Sequence, residues 1–466
     1  MAHNGPIQLS ESETRPLGDR AWPVYSLGFL LGLGGLLLAV LVAFFLPDGG
    51  RRFAFAYLVS YSFVLAITLG CLFFVLITHL FRAGWSVLVR RPAEAIAANM
   101  PVVAVLSAPI LLFALLGDGQ LYPWAHWDME SAQAAHAEAA AEAEAVAMEI
   151  SAAQQGVELP ASTRRMELNP YDQAAVDGEV VPGMHYVMGK RAWLNIPFFG
   201  LRWIFYMVVL SGIAIWYWRT SVKQDVTADA ALTRKMEIFA APAIVIYGVV
   251  ITFLSFDLIM SLDPLWYSTV FGVYYFSGGM LAALSVMILT LIGLQKWGWL
   301  THVTTEHFHD LGKLLFAFVF FWGYIAFSQY MLLWYASLPD TAYWFEMRGA
   351  STVVGRGNAW TVIVLALLFG HLLIPFAGLL SRHAKRNRAV LAFWCVWLLV
   401  FCWLDLYWVI MPMFEHRTIP VPVVELLCLV GIVGITLAGA VRTAAGHSLV
   451  PSGDPRLGES VAFHNI

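Results

Sequence analysis

Two acids, Asp257 and Asp405, and one histidine, His371, lie deep inside long apolar segments of this sequence. An acid placed where hydrocarbon is expected costs about 2.5 kcal/mol or more, and acids inside membranes commonly mark proton paths. Histidine can pass protons because its unperturbed pKa lies near neutrality. These residues are therefore candidates for a proton relay. The alternative is structural, with each side chain held by a neighbouring hydroxyl, such as Ser255 or Ser261 beside Asp257.

A polar stripe follows one face of the apolar segment at 311–336. At 100° per residue its members fall within an arc of about 60° on a helix. A polar stripe on a membrane helix must face protein or water. Two interpretations stay open, a hydrated proton path or hydrogen bonding between helices. The stripe consists of Asp310, Lys313, Tyr324, Ser328 and Tyr335.

Asp263 is an acid of a different kind, because it precedes Pro264 in a short turn between two apolar segments. Aspartate is a preferred helix N-cap, and proline is favoured in the first helical turn. The pair therefore predicts a structural cap at the start of the next helix.

Redox and metal chemistry on this chain is not indicated. The four cysteines lie in apolar segments and form no Cys-x-x-Cys pair, so no iron–sulfur or zinc motif is present. A membrane haem b needs paired deep histidines, and only His371 is deep. Phosphate loops, dinucleotide fingerprints and nucleophile elbows are also absent from the sequence. We expect no metal and no nucleic-acid partner, and any electron transfer must depend on partner proteins.

The elements that must position these residues are apolar helices. Of the 466 residues, 60% are apolar and 12% are charged, and continuous apolar runs long enough to cross a bilayer recur along the chain. The sequence therefore predicts an all-α polytopic membrane protein with about ten transmembrane helices, and the continuous runs exclude a β-barrel. Short loops favour two four-helix bundles, from spans two to five and six to nine, plus two flanking helices. The predicted spans are 24–46, 55–79, 99–117, 197–219, 237–260, 267–295, 311–336, 357–380, 388–411 and 420–444.

The distribution of Lys and Arg predicts the orientation. Loops on the side of both termini carry most of the 27 Lys and Arg residues, which places both termini in the cytoplasm. The long acidic insert at 118–196 then lies in the periplasm, and its Ala- and Glu-rich run predicts a surface helix or a partner-facing arm. The predicted divisions are a cytoplasmic tail (1–23), helices one to three (24–117), the insert (118–196), helices four and five (197–260), helices six to nine (261–411), and helix ten with a cytoplasmic tail (412–466).

Four stretches of sequence, in order, resemble the ActF family of bacterial alternative complex III subunits. They begin Ser-Phe-Asp-Leu-Ile-Met-Ser-Leu-Asp-Pro at 255–274, His-Asp-Leu-Gly-Lys at 309–318, Trp-Gly-Tyr-Ile-Ala-Phe at 322–336 and Trp-Leu-Asp-Leu-Tyr-Trp at 403–412. The resemblance covers roughly 200–415 closely and the first three helices more loosely. It places the chain beside the NrfD-like, or polysulfide-reductase membrane-subunit, superfamily.

The resemblance implies a subunit of a respiratory quinol:electron-acceptor oxidoreductase complex in the bacterial inner membrane. The implied partners are lipid, an iron–sulfur protein, multihaem cytochromes c and an NrfD-like paralogue, with the haem c and iron–sulfur clusters in those partners. Whether this chain binds a quinone such as menaquinone stays open. The favoured interpretation is a proton-conducting and supporting subunit. The first alternative is a subunit that oxidises quinol near Asp257, His371 or Asp405, and the second is a secondary transporter with a helix broken at Pro375.

Overall fold

The computed structural model describes residues 15–117, 119–126, 189–336, 339–350, 358–416 and 418–464. Within these residues the secondary structure is helical, with no strand. The predicted tail at 1–23 and insert at 118–196 lie largely outside the described residues. Among the described residues, ten helices are long and apolar enough to cross a membrane, so the chain is a multi-pass membrane protein. They are α1 Gly18–Phe44, α2 Gly49–Leu80, α3 Gly84–Leu116, α4 Ile196–Thr227, α5 Ala230–Leu262, α6 Phe271–Lys296, α7 Thr305–Ala336, α8 Thr361–Leu380, α9 Arg388–Met413 and α10 Val423–Ala445.

The helices form the two predicted bundles. In the first, α2 packs against α3 and α5, and α4 closes the group by packing against α3 and α5. In the second, α6 packs against α7 and α9, and α8 packs between α7 and α9. The bundles meet where α2 packs against α6, while α1 and α10 pack together beside α2. The predicted arrangement of two four-helix bundles with two flanking helices is confirmed.

The pairing of α1 with α10 depends on glycine. A Cβ atom added to Gly434 would lie 2.6 Å from the carbonyl oxygen of Gly28, and one added to Gly32 would lie 2.7 Å from the backbone nitrogen of Ile435. Small residues let two membrane helices approach closely enough for backbone contact, where dispersion attraction is largest. Outside this seam, most of the large side chains of α1 are exposed.

Helix α3 begins at Gly84, well before the predicted start at 99, because buried charges hide its first turns from a hydropathy reading. The Arg90 guanidinium donates to Glu94 at 2.9 Å and to Asp454 at 2.7 Å. All three side chains are buried, so each charge is compensated by a partner rather than by water. The contact with Asp454 also ties the C-terminal segment to α3.

The ends of the two bundles define two faces of the protein. The terminal face carries the loops at 81–83, 228–229 and 297–304, and the opposite face carries the loops that follow Leu262 and Met413. The first and last segments that the structure describes both pack against the terminal face. The Arg20 guanidinium lies over the Trp299 ring at 5.3 Å, and the Ser460 hydroxyl donates to the Trp85 carbonyl at 2.7 Å.

Candidate functional site

Asp405 lies in the core of the second bundle, on α9, and is 4% exposed. The Tyr274 hydroxyl from α6 donates to one carboxylate oxygen. The Trp322 indole N–H from α7 donates to the other at 3.2 Å. Within the described residues no Lys, Arg or His forms an ion pair with this carboxylate. Neutral donors alone therefore hold Asp405.

His371 joins the same cluster from α8 and is fully buried. Its ring centroid lies 3.9 Å from that of Trp322, so Asp405 and His371 contact the same indole. The thiol sulfur of Cys402, one turn before Asp405 on α9, lies 3.5 Å from His371 Nε2. The other ring nitrogen, Nδ1, has no hydrogen-bond partner among the described residues. The structure thus brings two of the predicted site residues together.

The helix around His371 departs from α-helical geometry. Leu367–Leu373 is a π-helix, in which each carbonyl accepts from the N–H five residues later. For Gly370 that residue is Pro375, which has no N–H to donate. The Trp397 indole N–H takes its place and donates to the Gly370 carbonyl at 2.7 Å. Such π-helical turns occur frequently at functional sites. This one contains His371, the histidine predicted from the sequence to lie deep in the membrane.

Arg348 lies near Asp405, towards the opposite face of the protein. Its guanidinium donates twice to the carbonyl of Val409, one turn after Asp405, at 3.1 and 2.8 Å, and lies 3.6 Å from the Trp344 ring centroid. Burial lowers the pKa of Arg348 to about 9, although the negative charge of Asp263 opposes this shift. The guanidinium therefore stays charged at neutral pH.

Asp263 anchors the loop that follows α5. One carboxylate oxygen accepts from the backbone N–H groups of Leu265 at 3.1 Å and Trp266 at 3.3 Å, and the other accepts from the Tyr343 hydroxyl. The predicted structural role agrees with this geometry. The predicted position was wrong in detail, because α6 begins at Phe271 and Asp263 instead caps the turn at 263–266.

Asp257 lies elsewhere, in the first bundle, and has a charged partner. The Arg202 guanidinium donates to both of its carboxylate oxygens at 2.8 Å. The Tyr206 hydroxyl and the Trp193 indole donate as well, at 2.9 and 3.1 Å. The Ser261 hydroxyl bonds the backbone carbonyl of Asp257, so the neighbouring hydroxyls do not compensate this acid. Asp257 is locked in a bidentate ion pair and does not meet Asp405.

Arg202 was missed from the sequence, although a signal for it was present. Helices α4 and α5 are antiparallel neighbours joined by a turn at Ala228. Arg202 and Asp257 lie at nearly equal sequence distances on either side of that turn, which sets them at the same depth. An intramembrane arginine and aspartate at matching depth on adjacent helices predict a pair.

The polar stripe on α7 does not reach the Asp405 cluster. At its terminal-face end Lys313 forms an ion pair with Asp310. Further along, Tyr324 is 58% exposed and Tyr335 is 83% exposed, while Ser328 is half-buried. The stripe therefore faces away from the bundle. Side chains on the other side of α7 enter the core.

Tyr274, Trp322 and Cys402 were also missed as site residues. An indole or phenol in a membrane helix is most often core or interface, and a cysteine is most often a small filler, so residue type alone gave no signal. The spacing of Cys402 and Asp405, three residues apart on one helical face, was the available clue.

Neither a metal site nor a known relative indicates the role of this cluster. In the part of the chain that the structure describes, no three His, Cys, Asp or Glu side chains converge to hold a metal ion. No protein-family model matches the sequence, and no curated protein matches it.

Proposed function

We propose that the chain is a membrane subunit of a respiratory quinol:electron-acceptor oxidoreductase complex of the alternative complex III type. In this role it lies in the bacterial inner membrane with both termini in the cytoplasm and contributes a proton path and structural support. Its partners are an iron–sulfur protein, multihaem cytochromes c and an NrfD-like paralogue, which hold the redox centres. The motifs at 255–274, 309–318, 322–336 and 403–412 support the complex, and the Asp405 cluster supports the proton path.

The observation that carries the proton path is the contrast between two buried acids. Asp257 shares both carboxylate oxygens with the Arg202 guanidinium, so protonating it would leave a buried cation without a partner. Asp405 accepts only from a phenol and an indole, so it can take up and release a proton without breaking an ion pair. An acid of the second kind is suited to a relay.

His371 and Tyr274 are the neighbours through which a proton would travel. In the tautomer that carries its hydrogen on Nε2, the Nδ1 of His371, which has no partner among the described residues, can accept a proton, and both His371 and Asp405 contact Trp322. The Tyr274 hydroxyl donates directly to Asp405 and can pass a proton by exchanging its own. Trp322 acts as a positioning residue, because its indole N–H donates to the carboxylate of Asp405 while its ring packs against the imidazole of His371.

The test uses the assembled complex in sealed vesicles, with quinol oxidation and proton movement measured together. For Asp405→Asn we expect the protons moved per electron to fall at least tenfold, while the complex still assembles. Asp405→Glu should restore much of the movement, because it returns a carboxyl group. Glu425→Gln is the matched control, since Glu425 is equally buried but lies on α10 beside Arg52.

Normal proton movement in an assembled Asp405→Asn complex would refute the relay. If all three variants, the Glu425→Gln control included, assemble but fail to oxidise quinol, the loss comes from the redox partners and not from the proton path.

Quinol binding is the second candidate, and one observation favours it. His371 Nδ1 is a buried nitrogen without a partner among the described residues, beside the aromatic rings of Trp322 and Phe401. A quinol hydroxyl could donate to it. Here His371→Gln should raise the KM for quinol several-fold with little change in kcat, whereas the relay predicts a change in proton movement at unchanged KM.

A further inference from the structure

A cavity of about 470 Å³ opens at the terminal face between α3, α4 and α10. Three of its lining residues carry nitrogen donors on their side chains, namely Arg219 and Lys223 from α4 and His447 just after α10. The Trp218 indole and the apolar side chains of Ile215 and Val222 form much of the remaining wall. It is distinct from the Asp405 cluster, which belongs to the other bundle.

The two cations of this cavity, Arg219 and Lys223, have no counter-ion among the residues that the structure describes. Arg219 and Lys223 are four residues apart and therefore share one face of α4. Both are exposed, and neither forms an ion pair with any residue that the structure describes. Arg91, by contrast, lies behind Trp218 and is already paired with Asp225 at 2.7 Å. The cavity therefore presents uncompensated positive charge.

The cavity lies at the level expected for lipid headgroups. Tryptophan is enriched where membrane hydrocarbon meets the polar headgroups, and α4 carries Trp216 and Trp218 two residues apart. Arg219 and Lys223 follow directly on the polar side of this pair, and α4 continues to Thr227. Long basic side chains at this level reach towards headgroups while their stems stay against apolar surface.

We propose that this cavity binds the phosphate of an anionic phospholipid headgroup. Arg219 and Lys223 supply charge-assisted hydrogen bonds to the phosphate oxygens, and His447, whose ring lies 5.4 Å from that of Trp218, supplies a third donor. Ile215 and Val222 contact the start of the acyl chains. Basic pockets between transmembrane helices at the headgroup level are suited to anionic lipids, since each cation near the surface contributes about 1 kcal/mol.

The experiment titrates the purified full-length protein in neutral detergent with lipid and counts bound molecules by native mass spectrometry. The probes are phosphatidylglycerol, cardiolipin, phosphatidylcholine and inorganic phosphate. The wild-type protein should bind the two anionic lipids in preference to phosphatidylcholine. The double variant Arg219→Gln/Lys223→Gln should bind phosphatidylglycerol about 30-fold more weakly, because two cations contribute about 2 kcal/mol and each 1.4 kcal/mol is a factor of ten.

The matched control is Arg234→Gln/Lys235→Gln, which removes two exposed charges from the same face but outside the cavity. It should bind like the wild type. Equal weakening in both double variants would refute a specific site, as would equal binding of phosphatidylcholine. If inorganic phosphate alone occupies the site and displaces the lipid at equal concentration, the ligand is free phosphate and the lipid proposal fails. Thermal unfolding of both variants without lipid shows that each is folded.

Discussion

Breaking the Arg202–Asp257 pair should cost more stability than any surface change on this protein. Asp257 is 1% exposed, and its carboxylate accepts from two guanidinium nitrogens, one phenol and one indole. Arg202→Met leaves a buried carboxylate without a cation, and Asp257→Leu leaves a buried guanidinium without an anion. Removing one partner of a buried pair costs about 3–5 kcal/mol, and we expect each single variant to fall in that range.

The double variant Arg202→Met/Asp257→Leu removes both charges together. Its cost should be smaller than the sum of the two single costs by about 3 kcal/mol, because no isolated charge is left inside the bundle. The remaining cost comes from Tyr206 and Trp193, whose donors then lose their acceptor.

The assay is reversible unfolding of the purified protein in mixed micelles, with the free energy of unfolding measured for all four members of the cycle. Arg82→Gln is the control, since that guanidinium is 67% exposed and its pair with Glu237 should contribute at most about 1 kcal/mol. If the costs of the two single changes simply add in the double variant, Arg202 and Asp257 do not stabilise the protein as a pair.

Three further changes test other parts of the fold. Gly370→Ala places a Cβ 2.0 Å from the Phe401 ring, so it should distort the π-helix and lower proton movement in the assembled complex, as we expect for Asp405→Asn. Gly434→Leu should separate α1 from α10, and crosslinking between cysteines introduced on the two helices should fall severalfold, whereas Gly446→Leu, in open space, should not change it. Asp454→Asn should release the C-terminal segment, and limited proteolysis of that segment should become several times faster than in the wild type.

The number and grouping of the helices were predictable because they depend on local composition. A run such as α2 is apolar for longer than a bilayer is thick, and short loops force neighbours to be antiparallel. The start of α3 was not, because Arg90, Arg91 and Glu94 lower the hydropathy of its first turns and the distant partner of Arg90, Asp454, is not evident from the local sequence. Charges that compensate each other across hundreds of residues leave no local pattern.

The candidate site was predictable as single residues but not as a constellation. Asp405 and His371 stand out in sequence because each is rare inside an apolar run. Their convergence on Trp322 depends on how α7, α8 and α9 rotate about their axes, which packing decides. For the same reason the stripe containing Tyr324 could be recognised as a stripe while its direction, away from the bundle, could not.

The pairing of α1 with α10 has a consequence for how the protein is made. Helix α1 packs most extensively against α10, which is synthesised much later, so the glycine seam around Gly28 and Gly434 cannot form before α10 has been made. At about 5–20 residues per second, the roughly 400 residues between them take about 20–80 s to translate. Throughout that interval the small-residue face of α1 is open to other helices in the lipid. Synthesis of this protein therefore includes a period in which α1 can pack against α2 while its glycine face is still available to a provisional neighbour.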